Sequence, residues 1–302
     1  MAKRINHCIG LRFLSADQIT HILDTAHNIK QGKISVDLKQ QSVVHVFFEP
    51  STRTRLSFEM ATQRSNAFPM MLDVKNSSLT KGESLVDMMR NIESLGAQAL
   101  VVRHSNGGIP YFISQQVGIP VINAGDGYHE HPSQGLLDLF TLKDHVNDLN
   151  GKHVLILGDI MHSRVAKSNI WGLKKLGAQV SVAGPPNLVP EIVKTWGVHV
   201  YNDLDQALPK VDAINVLRIQ FERQHGIALP SIREYRNQFG LTAKRQALLK
   251  KHAVILHPGP INRGVELDSD VADGEKNVIL DQVSNGVYVR MALLNILMEG
   301  QA

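Results

Sequence analysis

The sequence predicts an α/β fold of two doubly wound domains, each a mostly parallel sheet flanked by helices. Three observations carry that expectation. Short apolar runs alternate with amphipathic segments along the whole chain, which is the signature of βαβ units and parallel sheets. The alternation restarts after a polar, glycine-containing break at 148–153 (DLNGKH). The length of 302 residues suits two domains of ordinary size better than one.

The elements follow in order. SVVHVFF (42–48) reads as a buried strand and TRTRLSFEMATQRSNA (52–67) as the helix after it, with Leu56 and Met60 four residues apart. ESLVDMMRNIESL (83–95) places Leu85, Met88, Met89, Ile92 and Leu95 on one helical face. ALVVR (99–103) and PVINA (120–124) are short apolar strands. A helix over 132–146 opens with Pro132 in its first turn, where a missing N–H costs little. Beyond the break, HVLILG (153–158) is a strand, and the helix over 163–177 stops at Gly177. QVSVAG (179–184) is a strand and 188–197 a helix. AINVL (213–217) and AVILHPGP (253–260) are strands running into loops. An apolar helix closes the chain at 286–300. The expected domains are 1–147, including the connecting helix 132–146, and 148–302, with the last helix packing back on the first domain.

In open parallel sheets, ligands gather at the carboxyl ends of strands. Here those ends carry the polar chemistry: Ser51-Thr52-Arg53-Thr54-Arg55, then Arg103-His104, then GDGYHEHPSQ (125–134), GDIMHSR (158–164), Arg218-Ile219-Gln220 and HPGPINRG (257–264). The first segment opens a helix. Ser51 or Thr52 would suffice as an N-cap. Arginine in the first turn opposes the helix dipole, and a bound phosphate reverses that penalty. The segment therefore reads as an anion site, and the active site is expected in the cleft between the domains.

Other chemistries find little support. There is no G-x-G-x-x-G and no G-x-x-x-x-G-K-[ST]. His129, Glu130 and His131 lack zinc-ligand spacing, so no metal is expected. The one cysteine, Cys8, excludes an internal disulfide and suggests a reducing cytoplasm. The start MAKRINHCIGLRF has no signal-peptide core, and no apolar run approaches a membrane span. The formal charge of +4 comes from scattered lysines and arginines, and aromatic residues make up 5%, so neither a nucleic-acid nor a membrane partner is expected. No Ser-His-Asp or Cys-His arrangement is evident.

Together FFEPSTRTRLSFE, SSLTKGES, VVRHS, NAGDGYHEHPSQGLLDLFT, GDIMHSRVAKSN and LHPGPINRGVE resemble the catalytic chains of the aspartate carbamoyltransferase family over nearly the whole sequence. STRTR alone marks the wider superfamily, in which ornithine or an acylated ornithine can be the acceptor. The resemblance implies transfer of a carbamoyl group from carbamoyl phosphate to L-aspartate, the committed step of pyrimidine synthesis, without a cofactor. It implies that Ser51, Thr52, Arg53 and Thr54 bind the phosphate. Arg103, His131 and Gln134 would surround the carbamoyl group and phosphate, with Gly259 and Pro260 contributing backbone contacts. Arg164, Arg218 and Gln220 would hold aspartate. Lys81 would reach a neighbouring subunit's site, which implies a homotrimer with shared sites. Thr54, Arg103 and His131 are then the expected oxyanion donors, and Arg53 and Lys81 complete the catalytic set. Either Ser77 or Ser78 is the serine of the lysine loop, with Ser78 favoured. The HPGPINRG form resembles chains that work without the allosteric regulatory partner or with a dihydroorotase-like one, so zinc-bearing regulatory chains are not implied. Arg263 and Glu266 are expected to help lock a closed form. The rivals are an ornithine-type acceptor, which the HPGP loop and Arg218 disfavour, and a catalytically silent scaffold, which should have lost anion-binding residues.

Overall fold

The computed structural model describes residues 4–219 and 231–299. The chain divides into two compact units, Met1–Leu137 with Val283–Ala302, and Asp138–Gln282.

The first unit begins with α1 (Ala16–Lys30), whose N-terminus is closed by a reciprocal Ser15–Gln18 capping box. Then come β1 (Ser42–Phe47), α2 (Thr52–Arg64), β2 (Phe68–Leu72), α3 (Leu85–Ser94), β3 (Ala99–His104), α4 (Ile109–Ser114) and β4 (Val121–Asp126). The four strands pair in parallel in the order β2-β1-β3-β4. Val44, Val46, Leu100 and Val102 project from the central strands onto Met88 and Met89 of α3 and Ile113 of α4. Strands covered on both faces read as continuous apolar runs, which is why β1, β3 and β4 stand out in the sequence. β2 is the edge strand. Its Phe68 and Met70 are exposed, as are Leu56 and Met60 on α2.

Helix α5 (Pro132–Val146) carries the chain into the second unit. There β5 (His153–Leu157), α6 (Arg164–Lys175), β6 (Gln179–Ala183), α7 (Ile192–Thr195), β7 (His199–Tyr201), α8 (Leu204–Ala207) and β8 (Ala213–Val216) follow one another. They are succeeded by α9 (Ile232–Phe239), α10 (Ala243–Gln246), β9 (Val254–Leu256) and α11 (Ser269–Ala272). The sheet is again wholly parallel, in the order β7-β6-β5-β8-β9. Leu155, Leu157, Ile214, Val216 and Ile255 pack with Tyr235 and Phe239 of α9. The last helix, α12 (Ile279–Met298), returns the chain to the first unit.

Several expected boundaries move. The helix expected over 52–67 ends at Arg64, because Asn66 turns into the left-handed region (φ 52°) and feeds β2, an unexpected strand. The helix expected over 188–197 is reduced to a 3-10 turn at Pro186–Leu188 and the short α7, separated by Pro190. The closing helix starts at Ile279 rather than 286. Its N-terminal turn is anchored by Asn277 Oδ1, which accepts the Ile279 N–H at 2.7 Å.

Candidate active site

The parallel order of the first sheet sets the carboxyl ends of β1, β3 and β4 side by side. The segments that follow them therefore converge at one edge of the sheet.

After β1 the chain turns directly into α2. Ser51 holds the N-cap position with extended backbone, yet its side chain makes no capping hydrogen bond, and no acidic residue sits in the first turn. The hydroxyl expected as a possible cap is thus not used as one. Thr52 and Arg53 are exposed and Thr54 is buried. A helix start that carries arginine, lacks acid and keeps its cap hydroxyl out of the helix is built to receive an anion.

Arg103 ends β3 opposite Phe47 of β1. Its Nη1 donates to the Ala124 carbonyl at 3.3 Å, and its Nε lies 3.3 Å from Glu49 Oε2. Two anchors hold the guanidinium stem while the group remains half-buried at the strand end. Glu49 is a partner that the sequence reading left without a role. The neighbouring His104 packs at a tilt against Phe48, with ring centres 4.6 Å apart. Burial first of all lowers its pKa below the ordinary imidazole value.

The loop after β4 is the most heavily wired part of the unit. Asn123 Oδ1 accepts the Gly125 N–H at 2.7 Å, and Asn123 Nδ2 donates to Asp126 Oδ1 at 2.8 Å and to the Ile9 carbonyl at 2.8 Å. Asp126 also accepts the Gly108 and Glu130 N–H groups, and His129 Nδ1 lies 3.0 Å from it. Gly127 adopts φ 45°, and a Cβ there would sit 2.6 Å from the Gly107 nitrogen. Glu130 points away from the two histidines beside it: its carboxylate accepts the Leu11 and Arg12 N–H groups at 2.8 and 3.2 Å. Among the described residues, no group of three or more His, Cys, Asp or Glu could hold a metal. The same carboxylate, after burial, helps push the Cys8 thiol up to about 12. His131 and Gln134 open α5, with the His131 carbonyl accepting the Gln134 and Gly135 N–H groups. The structure therefore brings Ser51, Thr52, Arg53, Thr54, Arg103, His131 and Gln134 to adjoining strand ends.

Lys81 lies farther along, exposed on a 3-10 turn at Ser78–Lys81 that follows β2. Val74 and Leu79 anchor that loop on the core while the lysine stays outside. Ser77 Oγ donates to the Val74 carbonyl at 2.8 Å, and Ser78 Oγ pairs with Glu83.

In the second unit the adjoining ends are those of β5, β8 and β9. Gly158 (φ 124°) turns the chain out of β5. Asp159 then accepts both the N–H and the ring nitrogen of His162 at 3.0 Å, and Ser163 caps α6 by accepting the Ala166 N–H. That wiring sets Arg164 at the first position of α6, 5% exposed. Arg218 follows β8 and is half-buried. Gly259 and Pro260 follow β9, Gly259 with φ 67°. Gln220, the remaining expected acceptor contact, lies outside the described residues.

The sequence comparisons fit this arrangement. Residues 6–144 match the aspartate/ornithine carbamoyltransferase carbamoyl-P binding domain, and residues 150–297 match the Asp/Orn binding domain of the same family. The chain belongs to the aspartate/ornithine carbamoyltransferase family. It is 49% identical over 302 residues to the aspartate carbamoyltransferase catalytic subunit of Halothermothrix orenii, covering 98% of this chain and 96% of that protein. Two solved carbamoyltransferases share its fold. One is aspartate transcarbamoylase from Trypanosoma cruzi in complex with carbamoyl aspartate and phosphate (TM-score 0.85, 27% identity, covering 96% of this chain and 95% of that one). The other is ornithine carbamoyltransferase from Pyrococcus furiosus (TM-score 0.87, 27% identity, covering 99% and 98%). The fold is common to both acceptor classes, so the acceptor must be read from sequence and side chains.

Proposed function

We propose that the chain is the catalytic chain of an aspartate carbamoyltransferase, converting carbamoyl phosphate and L-aspartate to N-carbamoyl-L-aspartate and phosphate, the committed step of pyrimidine biosynthesis. The observation that carries this reading is the acid-free, arginine-bearing start of α2 beside Arg103 and His131, in a chain half identical to aspartate carbamoyltransferase catalytic subunits along its length. Ser51, Thr52, Arg53 and Thr54 hold the phosphate, aided by Gln134. The aspartate amine attacks the carbamoyl carbon, and charge gathers on the carbonyl oxygen. Thr54, Arg103 and His131 donate to that oxygen, and one such donor is typically worth roughly 10²–10³ in rate. The C–O bond to phosphate breaks, and the departing phosphate takes the amine proton. Gly259 and Pro260 contact the carbamoyl group through their backbone. Arg164, Arg218 and Gln220 hold the two aspartate carboxylates and their surroundings, guanidinium forks being suited to carboxylates.

The first unit serves as the carbamoyl-phosphate half and the second as the aspartate half, so the protein binds an amino acid in its second unit. Lys81 acts in a neighbouring copy's site within a homotrimer. The exposed Leu56, Met60, Phe68 and Met70 around the edge strand β2 support this, because an apolar, unpaired sheet edge is a liability that a partner surface covers. Regulatory or dihydroorotase-like chains could join that trimer. Among the described residues, no helix is long and apolar enough to cross a membrane, and the enzyme is placed in the cytoplasm on its composition.

The test is a carbamoylation assay with purified protein, carbamoyl phosphate and either L-aspartate or L-ornithine. Turnover with aspartate alone is expected. Turnover with ornithine instead would overturn the assignment of Arg164 and Arg218, and turnover with neither would favour the silent scaffold.

A further inference from the structure

His257 is the residue through which β9 enters the HPGP loop, and its backbone N–H and both ring nitrogens have designated partners. Its backbone N–H donates to Gln282 Oε1 at 2.9 Å. Its Nδ1 lies 2.8 Å from the Gly259 nitrogen. Its Nε2 lies 3.2 Å from Glu266 Oε1. A backbone N–H can only donate, so Nδ1 must be the accepting, proton-free nitrogen. Nε2 therefore carries the proton and donates it to Glu266. The carboxylate is what selects this tautomer, and the tautomer is what allows the ring to hold Gly259. Both His257 and Glu266 are essentially inaccessible to solvent, at 1% and 0% exposure.

The same Glu266 oxygen accepts the Asn262 N–H at 2.6 Å, and Asn262 Nδ2 donates to the Ile219 carbonyl at 3.0 Å. Ile219 is the neighbour of Arg218. One buried carboxylate thus ties together the segment after β8 and the segment after β9, at both of their proposed substrate contacts. Behind it stands Tyr235, fully buried, whose hydroxyl is held protonated by burial and then by the charges of Glu266 and Asp159. Arg263, six residues past His257 in the NRG turn, does something else. It forms an exposed pair with Asp273 at 2.7 Å and takes no part in the buried set.

We propose that Glu266 is a positioning residue for the acceptor half-site: by fixing the His257 tautomer and the Asn262 turn, it sets the Arg218 segment in register for aspartate and the Gly259–Pro260 backbone in register for the carbamoyl group that aspartate attacks. The inference rests on the function proposed above. The hydrogen-bond partners of Glu266, His257 and Asn262, belong to the second unit and the phosphate segment Ser51–Thr54 to the first, so aspartate and phosphate should respond differently to its loss.

The experiment is steady-state kinetics on the whole protein with five chains: wild type, Glu266→Ala, Glu266→Gln, His257→Asn and the Glu266→Ala/His257→Asn double variant. A glutamine can still accept from both Asn262 and His257 through its amide oxygen. An asparagine at 257 keeps the acceptor for Gly259 but is too short to reach Glu266. Glu266→Ala should raise KM for aspartate by roughly tenfold or more, since small misplacements of a substrate-holding group are costly. The affinity for inorganic phosphate measured without aspartate, whose proposed contacts lie at Ser51–Thr54 and Gln134, should change by less than about twofold. Glu266→Gln should restore KM for aspartate to within about threefold of wild type. Adding Glu266→Ala to His257→Asn should cost less than Glu266→Ala costs alone, because the two variants share the His257–Glu266 contact. If Glu266→Ala fails to fold, the contrast between Glu266→Gln near wild type and His257→Asn with a raised aspartate KM decides the matter. An equal loss of affinity for inorganic phosphate, full additivity, or an unchanged aspartate KM in Glu266→Ala or His257→Asn would overturn the proposal. A wild type that does not carbamoylate aspartate overturns the proposed function itself, and that is seen before any variant is made.

Discussion

His45 supplies a pH dependence whose size can be worked out from its surroundings. It lies on β1, fully buried against the inner face of α2. Thr62 Oγ1 donates to the Phe58 carbonyl at 2.8 Å, so towards His45 Nε2, 3.3 Å away, it can only accept. The neutral ring therefore carries its proton on Nε2. A second proton would have to go on Nδ1, which has no hydrogen-bond partner among the described residues. Burial, and then the Arg55 charge, push the pKa down to about 4 from the ordinary 6.5. The folded state thus binds the proton less readily than the unfolded chain. Its contribution is intact above about pH 6.5, is lost as pH falls towards 4, and is constant below that. Linkage over that interval gives a loss of about 2 kcal/mol between pH 7 and pH 5, and about 3 kcal/mol below pH 4. His7, His104 and His153 are lowered too, so wild-type acid sensitivity alone does not isolate His45. His45→Gln does. Its amide can still donate to Thr62, and it does not titrate. Urea unfolding followed by far-UV circular dichroism, at fixed protein concentration at pH 7 and pH 5, should show the variant losing about 2 kcal/mol less than wild type. If both lose the same amount, the burial argument for His45 is wrong.

Two further outcomes are expected. Gly127→Ala forces a side chain into φ 45° with its Cβ 2.6 Å from the Gly107 nitrogen and 2.9 Å from the Ser105 carbonyl oxygen, neither of which is a flexible side-chain tip. It should destabilise by about 1–3 kcal/mol and lower the thermal midpoint by several degrees, and an unchanged midpoint would show that the 125–131 loop can be rebuilt freely. On the proposed homotrimer with shared sites, mixing inactive Lys81→Ala chains with inactive Arg53→Ala chains should recover activity, because one interface then pairs an intact lysine with an intact phosphate segment. Mixtures that exchange subunits and stay inactive would refute shared sites.

How much of this was legible in the sequence depended on whether the partners lie close together along the chain. β1, β3, β4, β5, β6 and β8 were readable because a strand covered on both faces has no polar alternation to obscure it. β2 was not, since it is an edge strand with Pro69 inside it and apolar side chains exposed, and it sits where a helical pattern was still running. The three-residue β7 is too short to show a period. α1 went unread although its signals were present: Ser15 and Gln18 at capping-box spacing, and Ile19, Ile22, Leu23, Ala26 and Ile29 on one face. The polar segments after the strands were readable as ligand-bearing positions. Their internal wiring was not. Glu130 reaches back to Leu11, Arg103 is braced by Glu49, and Asp138 accepts from Asn169, Asn215 and Gln282, residues 31, 77 and 144 positions away. No local pattern encodes which buried carboxylate meets which donor, so a charge that proves structural looks the same in the sequence as one that meets solvent or substrate.

That distinction also bears on how one fold can serve two acceptors. The chain superposes as well on an ornithine enzyme as on an aspartate enzyme, so backbone geometry does not choose between them. On the proposed reading, the first unit cannot choose either, because carbamoyl phosphate is common to both reactions. The choice must lie in a few side chains after β5, β8 and β9. Arg164 is the most telling of these. Fixed by the Ser163 cap and the Asp159–His162 turn, it brings a guanidinium into a site 5% exposed, where a second positive charge meets little screening. Aspartate's side-chain carboxylate would relieve that charge, and ornithine's ammonium would compound it. Selectivity of this kind comes as much from repelling the wrong acceptor as from binding the right one. It also requires the loops that carry the charge to be unable to swing it aside. A rigid buried carboxylate such as Glu266, holding two of those loops from behind, is what such repulsion needs to be effective.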